Sequence, residues 1–163
     1  MFRPVLLLVL AASALLLFPK TASAQFSYTT RYVVATHPAA KYDQRIDRTL
    51  VQAAHIARQN SASRTSLRCW KFVKMALLQS GAVNSYPATN YAKQAGAELT
   101  GRYGFVRLRV HDPYQAPVGS VIVYGGSGAG HVELRTEHGF ASDYHSAWRC
   151  RYPVIGVYAK ISA

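Results

Sequence analysis

Acidic side chains are scarce in this chain. Seven Asp and Glu stand against 19 Lys and Arg, a formal charge of +12 over 163 residues. Such an imbalance favours anionic partners through long-range attraction, whether cell-wall polymer, lipid headgroup or nucleic acid, and it also serves solubility. No basic run exceeds two residues, so neither a charged tail nor a single groove is marked, and no nucleic-acid readout motif accompanies the charge. Cysteine is equally sparse: there are two, Cys69 and Cys150. No CxxC, HxxxH or similar paired-ligand spacing occurs, which argues against a zinc site or any other bound metal. The glycine-rich stretch Gly125–Gly130 joins two strand-like segments and opens no helix, so it is not a phosphate cradle, and no cofactor is expected. Long repeats, low-complexity tracts and linkers are absent.

The N-terminus has the pattern of a secretory signal peptide over residues 1–24. Arg3 precedes an apolar run from Val5 to Phe18, and Ala22-Ser23-Ala24 offers a small-residue exit before Gln25. The run falls short of the roughly 20 residues of a comfortable membrane span. No cysteine follows the exit for a lipid anchor. An uncleaved N-terminal anchor is the alternative, and both readings put the working domain outside the cytoplasm, in the periplasm or beyond. Residues 25–163 then suit one domain with one core, at 17 basic against seven acidic side chains.

Phe26 to Ala35 alternates like a strand or an extended arm. Apolar positions Ile46, Leu50, Ala53, Ala54, Ile56 and Ala57 predict a helix over 43–59. A second helix is expected from about Leu67 to Ser80, stopped by Gly81, and a short one from Thr89 or Asn90 through Ala97. The second half reads as strands at 104–110, 119–124, 130–136, 139–145 and 153–160, separated by Gly, Asp-Pro and Glu-His-Gly turns. Helices first and antiparallel strands after make an α+β domain.

Cys69 falls in the first turn of the second helix. There the free backbone N–H groups and the helix dipole favour an anion and could stabilise an oxyanion beside the sulfur. Cys69, Phe72, Val73, Ala76 and Leu77 share a helical face, so the sulfur points to the core boundary. A nucleophile placed this way needs a base from elsewhere. His131 is the best candidate, opening a strand after Gly128-Ala129-Gly130, with Glu133 and Arg135 on its face of the strand; the plainer reading makes this the solvated face of an edge strand. If Thr136 pairs with Phe140, His131 lies opposite His145 and Asp143 becomes its same-face neighbour, able to orient the imidazole. Glu133 is the reserve for that role, because a one-residue slip in register would turn Asp143 away. The rival reading of the sulfur is a Cys69–Cys150 disulfide, the simplest use of two cysteines in an oxidising compartment.

Taken in order, five segments resemble NlpC-type papain-like peptidases and the related CHAP amidases. Cys69-Trp70-Lys71-Phe72-Val73 resembles their nucleophile segment, and Tyr86-Pro87-Ala88-Thr89-Asn90-Tyr91-Ala92 the stretch after it. Ala116 to Tyr124 is similar to their strand after a Pro-Gly turn, Gly130-His131-Val132 to their histidine strand, and Phe140-Ala141-Ser142-Asp143 falls where their third polar residue is expected. The likeness covers roughly residues 66–160 and departs at Arg68, where the family usually carries Asp. No counterpart of the family's upstream tyrosine stands among residues 54–68. The resemblance implies a papain-like fold and hydrolysis of peptidoglycan amide bonds, as an endopeptidase or an N-acetylmuramoyl-L-alanine amidase, with Cys69, His131 and Asp143 as catalytic residues. It leaves open whether the wall is the cell's own or a competitor's, any immunity or regulatory partner, and the oligomeric state. The alternative from a different class is a catalytically inactive, disulfide-bridged basic module that grips wall polymer or a partner protein.

Overall fold

A computed structural model describes residues 39–162. The expected leader at 1–24 and the arm at 26–35 lie outside the described residues. Helix α1 (Arg48–Asn60) is followed by α2 (Cys69–Gln79) and, after a 3-10 turn at Ala92–Gln94, by α3 (Ala95–Arg102). Six strands follow: β1 (Val106–Arg107), β2 (Val121–Tyr124), β3 (His131–Thr136), β4 (Gly139–Ala141), β5 (His145–Ser146) and β6 (Val154–Ala159). They form one antiparallel sheet in the order β1-β6-β2-β3-β4-β5. The α+β expectation is met, with helices and sheet segregated along the chain.

Helix α1 starts later than its apolar spacing predicts. Asp43 is taken up by Arg45, accepting from its backbone N–H and its guanidinium in a turn that also bonds Ile46 N to the Asp43 carbonyl. Asp47 is the actual cap, its carboxylate accepting from Thr49 N at 2.9 Å. The buried stripe Leu50, Ala53, Ala54 and Ala57 then follows at helical spacing. Helix α2 buries Trp70, Val73, Ala76 and Leu77 and stops at Gly81, whose φ of +76° suits only glycine comfortably. Both helices pack on β3 and on each other.

The sheet is covered on two sides. Val121, Val123, Val132, Leu134 and Ala141 face the helices in the main core. Ile122, Tyr124, Phe140 and Val157 build a second cluster on the other side, closed over by Val110, Tyr114 and Ala116. The face of β3 that carries His131, Glu133 and Arg135 is therefore buried, where an edge strand would have left it solvated. Arg135 is 1 % exposed, stacks over the Phe140 ring at 4.7 Å and donates to the Gly139 carbonyl at 2.7 Å.

The β3–β4 register differs by one residue from the expected pairing. Thr136 pairs with Gly139 and Leu134 with Ala141, around a two-residue turn at Glu137-His138. Neither Glu137 nor His138 has a positive φ, so the turn is not of a primed type, and Gly139 (φ +140°) takes the positive-φ position directly after it, where a β-carbon would sit 2.2 Å from the Ser146 carbonyl oxygen. The expected strand over 139–145 also breaks, as Ser142 N bonds the Tyr144 carbonyl and the chain bends between β4 and β5. The consequence falls on Asp143, which follows Ala141 onto the helix side of the sheet.

Candidate active site

The segment 61–68 delivers Cys69 to the first position of α2. It is laced to the β4–β5 bend through Ala62 N to the Asp143 carbonyl (3.1 Å), His145 N to the Ala62 carbonyl (3.1 Å), and an Ala62–Tyr144 bridge. Leu67 stands in the left-handed region at φ +61° and is 89 % exposed, a conformation that costs a β-carbon residue about 1–2 kcal/mol. Arg68 follows as the cap residue without a side-chain capping bond. Cys69 is half-buried, at the margin of the main core.

Beyond the cysteine, α2 is tied to the segment 86–90. The Trp70 indole N–H donates to the Thr89 carbonyl and hydroxyl, both at 3.1 Å. Lys74 is buried, donates to the same carbonyl at 2.5 Å, and lies over the Trp70 and Tyr86 rings. Burial pushes the Lys74 ammonium below its ordinary range against the pull of Glu98. Buried Glu98 receives Ala88 N and the N–H and hydroxyl of Thr89; burial opposes its charge, and these bonds outweigh that and hold its carboxyl below the usual range. The resemblance pointed to this segment, but the Trp70–Thr89–Glu98 chain depends on tertiary contacts no spacing records.

His131 opens β3 and meets Cys69. A β-carbon at Gly130 (φ +75°) would sit 2.5 Å from the Tyr124 carbonyl and 2.8 Å from Lys93, so only glycine lets the chain turn into the strand here. The imidazole is 9 % exposed, between the rings of Tyr124 (5.9 Å) and Tyr144 (6.0 Å). Burial disfavours the imidazolium, but the nearby Cys69 sulfur, the hydrogen bond with Glu133 and the charges behind both prevail and raise it from 6.5 to about 10.

The carboxylate on the imidazole belongs to Glu133. Its Oε2 is 3.2 Å from His131 Nε2, and its Oε1 accepts from the Tyr124 hydroxyl (2.5 Å) and from Cys150 N (3.3 Å). At 2 % exposure the carboxyl group is buried with both oxygens engaged. Burial first, then the Glu133 charge, pushes the Tyr124 hydroxyl far above its usual range, so it remains a donor. Asp143, the residue expected on the imidazole, is turned instead to the cysteine segment, as the one-residue register difference dictates. Tyr124 and Cys150 N were not foreseen; pairing of Tyr124 with His131 across β2–β3 is the signal that would have found the tyrosine.

Both cysteines are free. Cys150 packs beside the second cluster. Alkylation of denatured, unreduced protein is therefore expected to add two adducts by intact mass, and a native Cys69–Cys150 bridge would add none. Among the described residues, no group of three or more His, Cys, Asp or Glu is placed to hold a metal ion.

Charge is sorted around the site. In the segments 61–102 and 124–152, the acids Glu98, Glu133 and Asp143 are buried at 7 %, 2 % and 1 % exposure, and Glu137 sits in the distant β3–β4 turn. Arg64, Arg68, Lys71, Lys93 and Arg151 are all exposed.

No protein-family model and no curated protein matches the chain. Among solved structures, a chain of the type VI native effector–immunity complex Tae3–Tai3 from Ralstonia pickettii is similar in fold. It aligns with a TM-score of 0.54 and 20 % identity over 68 % of this chain and 98 % of its own. A chain of the selenomethionine form of that complex aligns with a TM-score of 0.48 and 26 % identity over 58 % of this chain and 80 % of its own.

Proposed function

We propose that this protein is an exported cysteine-dependent hydrolase of peptidoglycan amide bonds, in the stem peptide or at the sugar–peptide link. The observation that carries the reading is the Cys69–His131–Glu133 alignment. A sulfur at a helix N-terminus lies near enough to a buried imidazole to favour its charged form, and the imidazole is backed by a buried carboxylate. In that arrangement the proton resides on His131 and the sulfur attacks the carbonyl as thiolate. The oxyanion develops beside the free backbone N–H groups at the start of α2. His131 passes its proton to the leaving amine, and water, deprotonated by the same ring, releases the acyl group. Glu133 holds the ring in place and favours its charged form.

The papain-like order of a cysteine helix followed by a histidine strand supports this reading, as does the five-segment resemblance to NlpC-type and CHAP enzymes. The leader-like residues 1–24 support action outside the cytoplasm. The structural neighbour is part of an effector–immunity complex, and we extend to this chain the expectation of an immunity-type protein partner.

Purified protein incubated with peptidoglycan sacculi is expected to release soluble fragments bearing new amino termini. Sacculi left intact by correctly folded protein would sink the hydrolase reading and favour the binding module. The basic surface around Cys69 adds a second expectation. Release should slow by about tenfold between low and several-hundred-millimolar salt, as screening removes the attraction to an anionic wall. A rate indifferent to salt would assign the charge to solubility alone.

A further inference from the structure

We propose that Asp143 is the positioning residue of the nucleophile, setting the Cys69–His131 geometry from the cysteine side without touching the imidazole. The inference rests on the reading of Cys69 as nucleophile. One oxygen, Oδ2, accepts from the Thr65 hydroxyl (2.9 Å), Ser66 N (2.6 Å), the Ser66 hydroxyl (3.0 Å) and Arg68 N (3.2 Å), while Oδ1 accepts from the Ser142 hydroxyl at 3.2 Å. Four donors from three residues just ahead of Cys69 thus converge on one atom of a carboxylate that is 1 % exposed.

Two further features fit an anchor. Between the bonded residues Ser66 and Arg68 lies Leu67, the one non-glycine residue with positive φ among the described residues. A left-handed leucine exposed to solvent persists only where its surroundings hold it, and the bonds on either side come from Asp143. The same bend carries Tyr144, whose ring lies against His131. Cysteine segment and imidazole wall are thereby fixed to one piece of backbone. Burial opposes ionisation of Asp143, and the bonds from Thr65, Ser66 and Arg68 overcome it, so the carboxyl stays below its usual range and charged at neutral pH. Charge-assisted bonds of this kind are about twice as strong as neutral ones.

The test separates anchoring the cysteine from orienting the histidine. Asp143→Asn is expected to slow alkylation of Cys69 by iodoacetamide at neutral pH by about tenfold, and to lower kcat more than it changes KM. In a Cys69→Ala background, NMR titration of His131 should be unmoved by Asp143→Asn, within about 0.3 unit, and lowered by Glu133→Gln. A His131 titration that falls with Asp143→Asn in that background would place the carboxylate on the imidazole and overturn the proposal. Unchanged alkylation in Asp143→Asn would overturn it as well. Should that variant not fold, Thr65→Ala and Ser66→Ala each remove a hydroxyl donor and carry the test. A two- to fivefold slowing of alkylation is expected from each, and wild-type rates in both would contradict the anchor. Alkylation and titration need no substrate, so a protein that fails to digest sacculi leaves both readouts standing.

Discussion

Cys69→Ala is expected to abolish fragment release from peptidoglycan, by at least about 10³-fold in initial rate, because the proposed covalent route is lost with the sulfur. The fold should survive the change. The side chain is half-buried at the edge of the main core, and the packing of α2 rests on Trp70, Val73, Ala76 and Leu77, so the cost in stability is about 1 kcal/mol. Cys150→Ala is the matched control. Its contribution to the site is a backbone N–H to Glu133, which alanine retains, and release is expected within about threefold of wild type. Initial rates of amine release, with melting curves for each variant, check both expectations. Comparable losses in the two variants would mean that thiols matter here for folding and not for chemistry.

Glu133→Gln is the second large effect, and its signature lies in pH. Glu133 is one of the two groups that hold His131 up to about 10. The amide keeps the shape and still offers an oxygen to the Tyr124 hydroxyl, but the charge is gone. The alkaline limb of kcat/KM, which belongs to the Cys69–His131 pair as a unit, should move down by about 1–2 pH units, with a loss of about two- to tenfold near pH 9. Stability carries the same sign. A raised imidazole pKa stabilises the folded chain fully below the ordinary value of 6.5, and that contribution is lost as pH climbs to about 10. Wild-type Tm should therefore decline between those values, and more of that decline should fall at lower pH in Glu133→Gln. A pH–rate profile and melts from pH 6 to 10 measure both. An unmoved limb would detach Glu133 from the imidazole.

Much of this was legible in the sequence because local rules dominate it. The stripe of Leu50, Ala53, Ala54 and Ala57, the stop at Gly81, the apolar β-branched run at 121–124 and the strand alternation at 131–136 are all near-neighbour patterns. Cys69 at a helix start and His131 after a glycine-cleared turn were visible for the same reason, and the structure brings the two together. The third polar group was harder. Its choice hung on whether Thr136 faces Phe140 or Gly139, and a period-two pattern cannot separate registers one residue apart unless the turn is known. The two-residue turn at Glu137-His138 put Asp143 under the cysteine segment and left Glu133 on the ring. Burial of the His131–Glu133–Arg135 face was also out of reach, since the second cluster that covers it draws on Tyr114, Ala116 and Val157 from distant parts of the chain.

The central claim is that Cys69 is the covalent nucleophile, and acid quenching during turnover tests it most directly. Peptide mapping of the quenched protein should find the Cys69-containing peptide, and not the one containing Cys150, carrying an added mass equal to the acyl fragment of the substrate. The adduct should disappear once substrate is exhausted. Turnover that continues with Cys69 already alkylated, and with no adduct on its peptide, would contradict the account.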